Sequence, residues 1–279
     1  MSGSARSNSF APVRDIRLRL PLSHCGTRRD AWDRGAALMV PEARAMELER
    51  QVRYASNTVV AGELLHLAGR AALDIGCGDG KFTRFLARSG ARATGLDVNP
   101  YVLVRARDTA RDEGLDIAWV EGRAEDLPFA DDRFNVVVFS NSLHHVAPNE
   151  MARAIAEAAR VLRPGGDLYV MEPVAEGPYF EATRLINDER AVRNLARDAV
   201  HGASEHGLTP VTEVTFMALR TWSSFEEFAA EQEERGEKRR QVLAERGNEM
   251  RTLFQGAARR EGDRLAFDQI FRVNLLRRR

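Results

Sequence analysis

From residue 71 onward, short apolar runs alternate with segments whose apolar residues recur every three or four positions. That is the pattern of strands alternating with amphipathic helices. The runs predict strands over 71–75, 93–98, 117–120, 134–140 and 168–171. The fourth, Phe134-Asn135-Val136-Val137-Val138-Phe139-Ser140, is apolar almost without interruption, as befits a strand buried on both faces. Between these runs, Phe82, Phe85 and Leu86 share one helical face that stops at Gly90. Pro100 takes the first position of a second helix. Met151, Ile155, Ala158, Ala159 and Leu162 form a third, which Pro164-Gly165-Gly166 breaks.

The flanks are less regular. Upstream, Trp32, Ala36 and Met39, then Ala43, Met46 and Val52, predict N-terminal helices, and Thr58 is read as the N-cap of a helix ended by Gly69. Downstream, 180–200 reads as helix and 211–219 as strand. Residues 225–254 read as a long charged helical region broken near Gly247, and 265–276 as a last alternating strand. The helical block between the last two strands suits a lid, a dimerisation arm or solvated packing. Strands and helices at these intervals predict an α/β fold with a parallel sheet covered on both faces. Residues 1–29 are read as a tail and 30–279 as one domain.

Composition changes this picture little. The 279 residues hold 41 basic and 41 acidic side chains, and 44% are hydrophobic. That excludes collagenous or mostly disordered chains. The bases are 39 arginines and only two lysines, Lys81 and Lys238. Arginine suits phosphate binding, but the charge distribution argues against a nucleic-acid partner. Residues 1–29 carry +5 and 231–279 carry +4, while 70–175 carry −3 and 176–230 carry −4, so no basic stripe crosses the middle. Cys25 and Cys77 stand apart, without the spacing of a disulfide framework or a zinc site, and no metal site is expected. No apolar stretch reaches membrane-spanning length. A cytoplasmic location is the expectation.

The chemistry concentrates at the ends of the predicted strands. Asp74-Ile75-Gly76-Cys77-Gly78-Asp79-Gly80 joins the first strand to its helix, where glycines permit a tight turn and close approach of backbone to a ligand. The spacing is GxGxG after an acid. It is neither the GxGxxG of dinucleotide sites nor a loop ending in Gly-Lys-Ser/Thr. Asp97 closes the second strand, where two carboxylate oxygens match two ribose hydroxyls. Gly122-Arg123-Ala124-Glu125-Asp126-Leu127-Pro128-Phe129 follows the third.

These four segments, LDIGCGDG, GLDVNP, GRAEDLPFADDRFNVVVFSNSLHH and VLRPGGDLYV, resemble the class I S-adenosylmethionine-dependent methyltransferases. The likeness is to the small-molecule branch that includes the ubiquinone and menaquinone biosynthesis enzymes, and it spans residues 58–173. It implies a Rossmann-like, doubly wound, seven-stranded, mostly parallel sheet with an antiparallel last strand. It also implies a cofactor-binding core over 58–173, with substrate-side elements and a helical insertion over 174–279. Carried over, Asp74, Gly76 and Gly78 line the methionyl part of S-adenosylmethionine, Asp97 takes the ribose, Val98 flanks the adenine and the Ala124 N–H meets a ring nitrogen. Family members carry Asp or Asn where this chain has Arg123. Arginine cannot accept a hydrogen bond, so Glu125 is the expected substitute.

Ser140 ends the fourth strand on the cofactor side, and His144, His145 and Glu172 lie near the expected methyl position, since ligands of open α/β sheets bind beyond the carboxyl ends of strands. A histidine there is suited to removing a proton from the nucleophile, although a structural or cofactor-packing role is the commoner one for each of the three taken singly. The expected reaction is in-line methyl transfer to an O, N, S or C nucleophile of a small molecule, giving S-adenosylhomocysteine. The alternative is an S-adenosylmethionine-binding protein with a regulatory or non-methyl-transfer role.

Overall fold

The computed structural model describes residues 53–279. The tail over 1–29, the helices expected between Ala31 and Val52, and Cys25 lie outside the described residues. Arg53–Tyr54 (β1) and the helix Asn57–Leu64 (α1) precede the alternating core. Ser56, not Thr58, caps α1: its hydroxyl accepts from the Val59 N–H, while Thr58 Oγ1 lies 3.0 Å from it inside the first turn. The helix also stops at Leu64 rather than Gly69, because Leu65 turns extended and Leu65 and Leu67 are buried under the sheet.

The core follows as Ala71–Ile75 (β2), Lys81–Arg88 (α2), Arg92–Asp97 (β3), Pro100–Asp112 (α3), Ala118–Glu121 (β4), Phe134–Ser140 (β5), Met151–Val161 (α4) and Leu162–Pro173 (β6). Pro164-Gly165-Gly166 does end the helix but lies within β6, where pairing with β5 jumps from Leu162 to Asp167. The expected helix over 180–200 is two, Pro178–Thr183 (α5) and Arg190–His201 (α6). Asp188 Oδ1 accepts from the Arg190 N–H and starts the second afresh, an Asx turn competing with helix continuation.

Leu208–Trp222 (β7) leads to the insertion, Phe225–Glu234 (α7) and Glu237–Ala257 (α8), and the short Arg259–Glu261 (β8) leads to Arg264–Arg278 (β9). The break comes at Gly236, at φ 136°, with a second irregularity at Arg246 beside the expected Gly247.

The strands join as β1-β7-β9-β6-β5-β2-β3-β4, with β8 attached to β9. Pairing is parallel from β6 through β4, whereas β9 runs antiparallel to β6 and to β7. Without the short β1 and β8, this is the expected seven-stranded, doubly wound, Rossmann-like sheet with an antiparallel last strand. Its order reverses between β2 and β5, so a crevice opens beyond their carboxyl ends.

Both faces are packed. Phe134, Val137 and Phe139 of β5 meet α4 and α6 on one side, while Val136 and Val138 meet α1 and α2 on the other. A third cluster joins α5, α7 and α8 to the β7–β9 hairpin around Trp222, Phe228, Phe254 and Phe267. The Phe254 ring is fully buried, 4.6 Å from Phe267 and 4.7 Å from Phe228. Phe254→Ala is expected to cost about 3–5 kcal/mol of stability in urea denaturation. A loss below about 1 kcal/mol would mean that the insertion is not cooperatively joined to the sheet.

Candidate functional site

The loop from β2 to α2 is fixed by what passes close to it. Gly76, Gly78 and Gly80 all have positive φ, at 70°, 53° and 76°. A Cβ on Gly76 would lie 2.6 Å from the Ser142 Cβ, and one on Gly80 would lie 2.4 Å from the Trp119 ring. Ser142 in turn donates to the Ile75 carbonyl at 2.5 Å. These glycines therefore serve protein packing as well as any ligand. Gly78 is different: its Cβ direction meets nothing within 4 Å, so the open side of the loop faces the crevice.

Asp74 is buried beneath this loop. One oxygen accepts from the Thr83 hydroxyl at 2.7 Å, and the other, Oδ1, has no partner among the described residues. Burial raises the Asp74 carboxyl from 3.8 to about 7, opposed by Thr83 and reinforced by the nearby Asp97 charge. An enclosed carboxylate oxygen without a donor suits a ligand ammonium, and the methionyl part of S-adenosylmethionine carries one. Asp97 closes β3, half-buried, its Oδ2 taking the Gly78 N–H and its Oδ1 the Asn99 N–H, both at 2.9 Å. Each oxygen keeps a lone pair for a diol. Val98, 59% exposed, and Tyr101, 80% exposed, leave apolar surface beside it for a flat ring.

The loop after β4 is pinned from behind. Arg160 donates to the carbonyls of Leu127 and Phe129 and to Glu157 and Asp131, and Glu157 accepts the Leu127 N–H. Within it Arg123 Nε donates to Glu125 Oε1 at 2.6 Å, which leaves Glu125 Oε2 as acceptor. The Arg123 departure is thus neutralised by the very residue expected to replace it. Ala124 is buried, and its N–H takes no acceptor among the described residues.

Ser140 ends β5 at the same crevice. Next to it, Asn141 adopts φ 58°, a strained conformation for a side-chain-bearing residue, and its buried Oδ1 has no partner among the described residues. Sequence reasoning passed over Asn141, Ser142 and Trp119. Backbone strain and ring packing against glycine leave no signature in a motif.

Beyond Asn141 a short 3₁₀ turn carries the histidines. Glu172 accepts the Leu143 N–H at 2.9 Å through Oε1 and contacts His144 Nδ1 through Oε2. His144 is buried, with Nε2 3.7 Å from Glu189, which Arg193 holds at 2.6 Å. His145 lies exposed, its ring 4.0 Å from that of His144. Crowding by protein, then His144, hold its pKa below the usual histidine range. Ligand atoms of His144, His145 and Glu189 come within 4.8 Å of one another, a spacing that would suit a metal ion. The fixed Arg193 charge on Glu189 opposes a cation there.

Residues 72–166 match the family model described as "Methyltransferase domain". An uncharacterised methyltransferase of Synechocystis is 41% identical over 98 residues, 35% of this chain and 44% of that protein. The ubiquinone biosynthesis O-methyltransferase of Methylococcus capsulatus is 39% identical over 106 residues, 37% and 43% of the two chains. The chain thus matches less than half the length of either relative. Among solved structures, a Bacillus halodurans C-125 protein assigned to the methyltransferases superposes with TM-score 0.59 at 23% identity. It covers 80% of this chain and 99% of that one, a likeness of fold. Residues 72–166 are thus similar in sequence to a methyltransferase domain, and the likeness of fold extends over 80% of the chain.

In the folded state Asp74 retains its proton at pH values where the unfolded chain has lost it. Its contribution to stability is therefore complete below about pH 4 and lost as pH rises through about 7. Denaturation of the ligand-free protein between pH 4 and 8 is expected to show the wild type losing stability relative to Asp74→Asn across that window. Parallel curves would mean an ordinary Asp74.

Proposed function

We propose that the chain transfers a methyl group from S-adenosylmethionine to a small molecule, with residues 74–126 holding the cofactor and the β5 and β6 ends facing the acceptor. The observation that carries this reading is the pair of carboxylates at the crevice. Asp97 is fixed by two backbone donors with a lone pair to spare on each oxygen, and buried Asp74 keeps one oxygen without a donor. Gly76 and Gly78 border the methionyl group in this reading, Asp97 the ribose and Val98 the adenine. Ala124 N–H and Glu125 Oε2 face the adenine edge, and Ser140 closes the cofactor side. The relatives' names favour a quinone-like or phenolic acceptor without deciding among nucleophiles.

When bound, S-adenosylmethionine supplies an electrophilic methyl on a sulfonium, and the reaction leaves S-adenosylhomocysteine. The chain's part is to align the acceptor, worth about 7–11 kcal/mol when geometry is well set, and to take the acceptor's proton. His145 is the group suited to that, because it is solvent-reachable and neutral at physiological pH. His144 and Glu172 position it: Glu172 accepts at Nδ1, fixes the tautomer and holds the neighbouring ring.

Asp97→Ala is expected to weaken S-adenosylhomocysteine binding at least ~100-fold in calorimetry, from two charge-assisted hydrogen bonds of about 1.5–3 kcal/mol each. Wild-type affinity in the variant would sink the ribose assignment. Incubation with methyl-labelled cofactor and a panel of phenols, quinones, amines and carboxylic acids tests transfer itself. Label remaining on the cofactor with every acceptor counts against it.

With a labelled acceptor in hand, kcat is expected to rise with pH through a value below 6.5 and level off near neutrality. His145→Gln should lose that limb and ~10²-fold or more in rate. An unchanged profile would remove His145 from the proton's path.

A further inference from the structure

Next to the histidine turn, on the sheet face covered by α6, lies a cavity of about 110 Å³. Its floor is the carboxyl end of β6 with Glu172, together with Arg272 and Asn274 of β9. Its roof is α6, whose Arg190, Arg193 and Arg197 recur at helical spacing and all reach the wall. Four arginines, with Glu172 and Glu176, thus line a space with room for several waters or a group of a few heavy atoms.

Of the nearby carboxylates, Glu176 also lines the cavity and acts on Arg272, and the others are engaged in part elsewhere. Both oxygens of Glu172 are engaged, by the Leu143 N–H and His144. Glu189 takes Arg193 from outside the cavity, yet the buried Nε of Arg193 finds no acceptor among the described residues. Glu213 approaches Arg272 only at 3.5 Å, while Asn274 also holds it at 2.7 Å. Among the described residues no carboxylate comes within 4.0 Å of Arg197, and Arg190 reaches Glu181 only at 3.9 Å. The Phe180 ring lies beneath both Arg190 and Arg193, at 4.8 and 6.0 Å, and fixes their planes. Arg272 is pushed below its ordinary range by burial and then by Arg197, with Glu213 and Glu176 opposing the shift only in part.

We infer that this arginine-walled cavity binds an anionic group, a carboxylate or phosphate, carried by the molecule that is methylated. Planar guanidinium forks meeting from two elements suit such a group, since each can donate two hydrogen bonds to it. Glu172 belongs both to the cavity wall and to the His144 contact, and His144 touches His145, so an acceptor anchored by its anion lies next to the proposed proton acceptor. The inference deepens the reading of the chain as a methyltransferase and rests on it.

The test is calorimetry of the full chain at low ionic strength with three probes: inorganic phosphate, 4-hydroxybenzoate and uncharged phenol. Wild type, Arg197→Gln, Arg272→Gln and the distant surface control Arg107→Gln are compared, with S-adenosylhomocysteine affinity measured in each. The expected result is binding of 4-hydroxybenzoate at least tenfold tighter than phenol, lost tenfold or more in the Arg197 and Arg272 variants but kept in Arg107→Gln. S-adenosylhomocysteine affinity should be equal in all four. Arg197 is exposed, so its variant is expected to fold even if that of Arg272 does not.

No anion binding in the wild type, or equal loss in the control, overturns the inference. Binding of phosphate alone, with methyl label appearing only on uncharged acceptors, overturns the substrate assignment. Failure of every protein to bind S-adenosylhomocysteine overturns the cofactor reading instead, which the arginine variants do not touch.

Discussion

Everything at the crevice depends on how closely the β2–α2 loop passes its neighbours. Ser142 of the adjacent strand end occupies the space a Cβ on Gly76 would need, and Trp119 does the same at Gly80 and at Gly95 of β3. Those two contacts lock β5 and β4 against the loop. Asp74, Asp97 and the Ala124 N–H consequently stand at fixed separations before any ligand arrives, and binding need not order them.

The crevice divides labour between two halves of the sheet. On the β2–β3–β4 side the polar groups are mostly backbone donors and two carboxylates, suited to one invariant small ligand. On the β6–β9 side the groups are long side chains drawn from α6 and β9. In the proposed reading, arginine and glutamate there can be exchanged without moving the β2–α2 loop, and acceptor choice would rest with them.

How much of this was legible in the sequence follows from the range of the interactions. The strands β2, β3 and β5 appear in the apolar runs, since burial on both faces leaves few polar positions, and the glycine loop and Asp97 appear because their spacing is local. Helix limits were less readable. Ser56 displaced Thr58 as a cap and Asp188 interrupted the helix over 180–200, each through a single side-chain bond that competes with backbone pairing. The pairing of Arg123 with Glu125 could be anticipated as a chemical need but not as a contact. The cavity arginines were invisible among 39, because Arg272 lies 75 residues from Arg197 in the chain and only the sheet brings them together.

The position of β9 sets an order of assembly. It is synthesised after both strands it separates, β6 and β7, and pairs with β7 along nearly its whole length and with β6 through Phe271–Arg277. Until it emerges, β7 has no long partner and the cavity lacks Arg272, whereas β2 through β6 already hold one another by neighbouring parallel pairs. On the ribosome the β2–β6 half can therefore form early, and the arginine-lined face closes last.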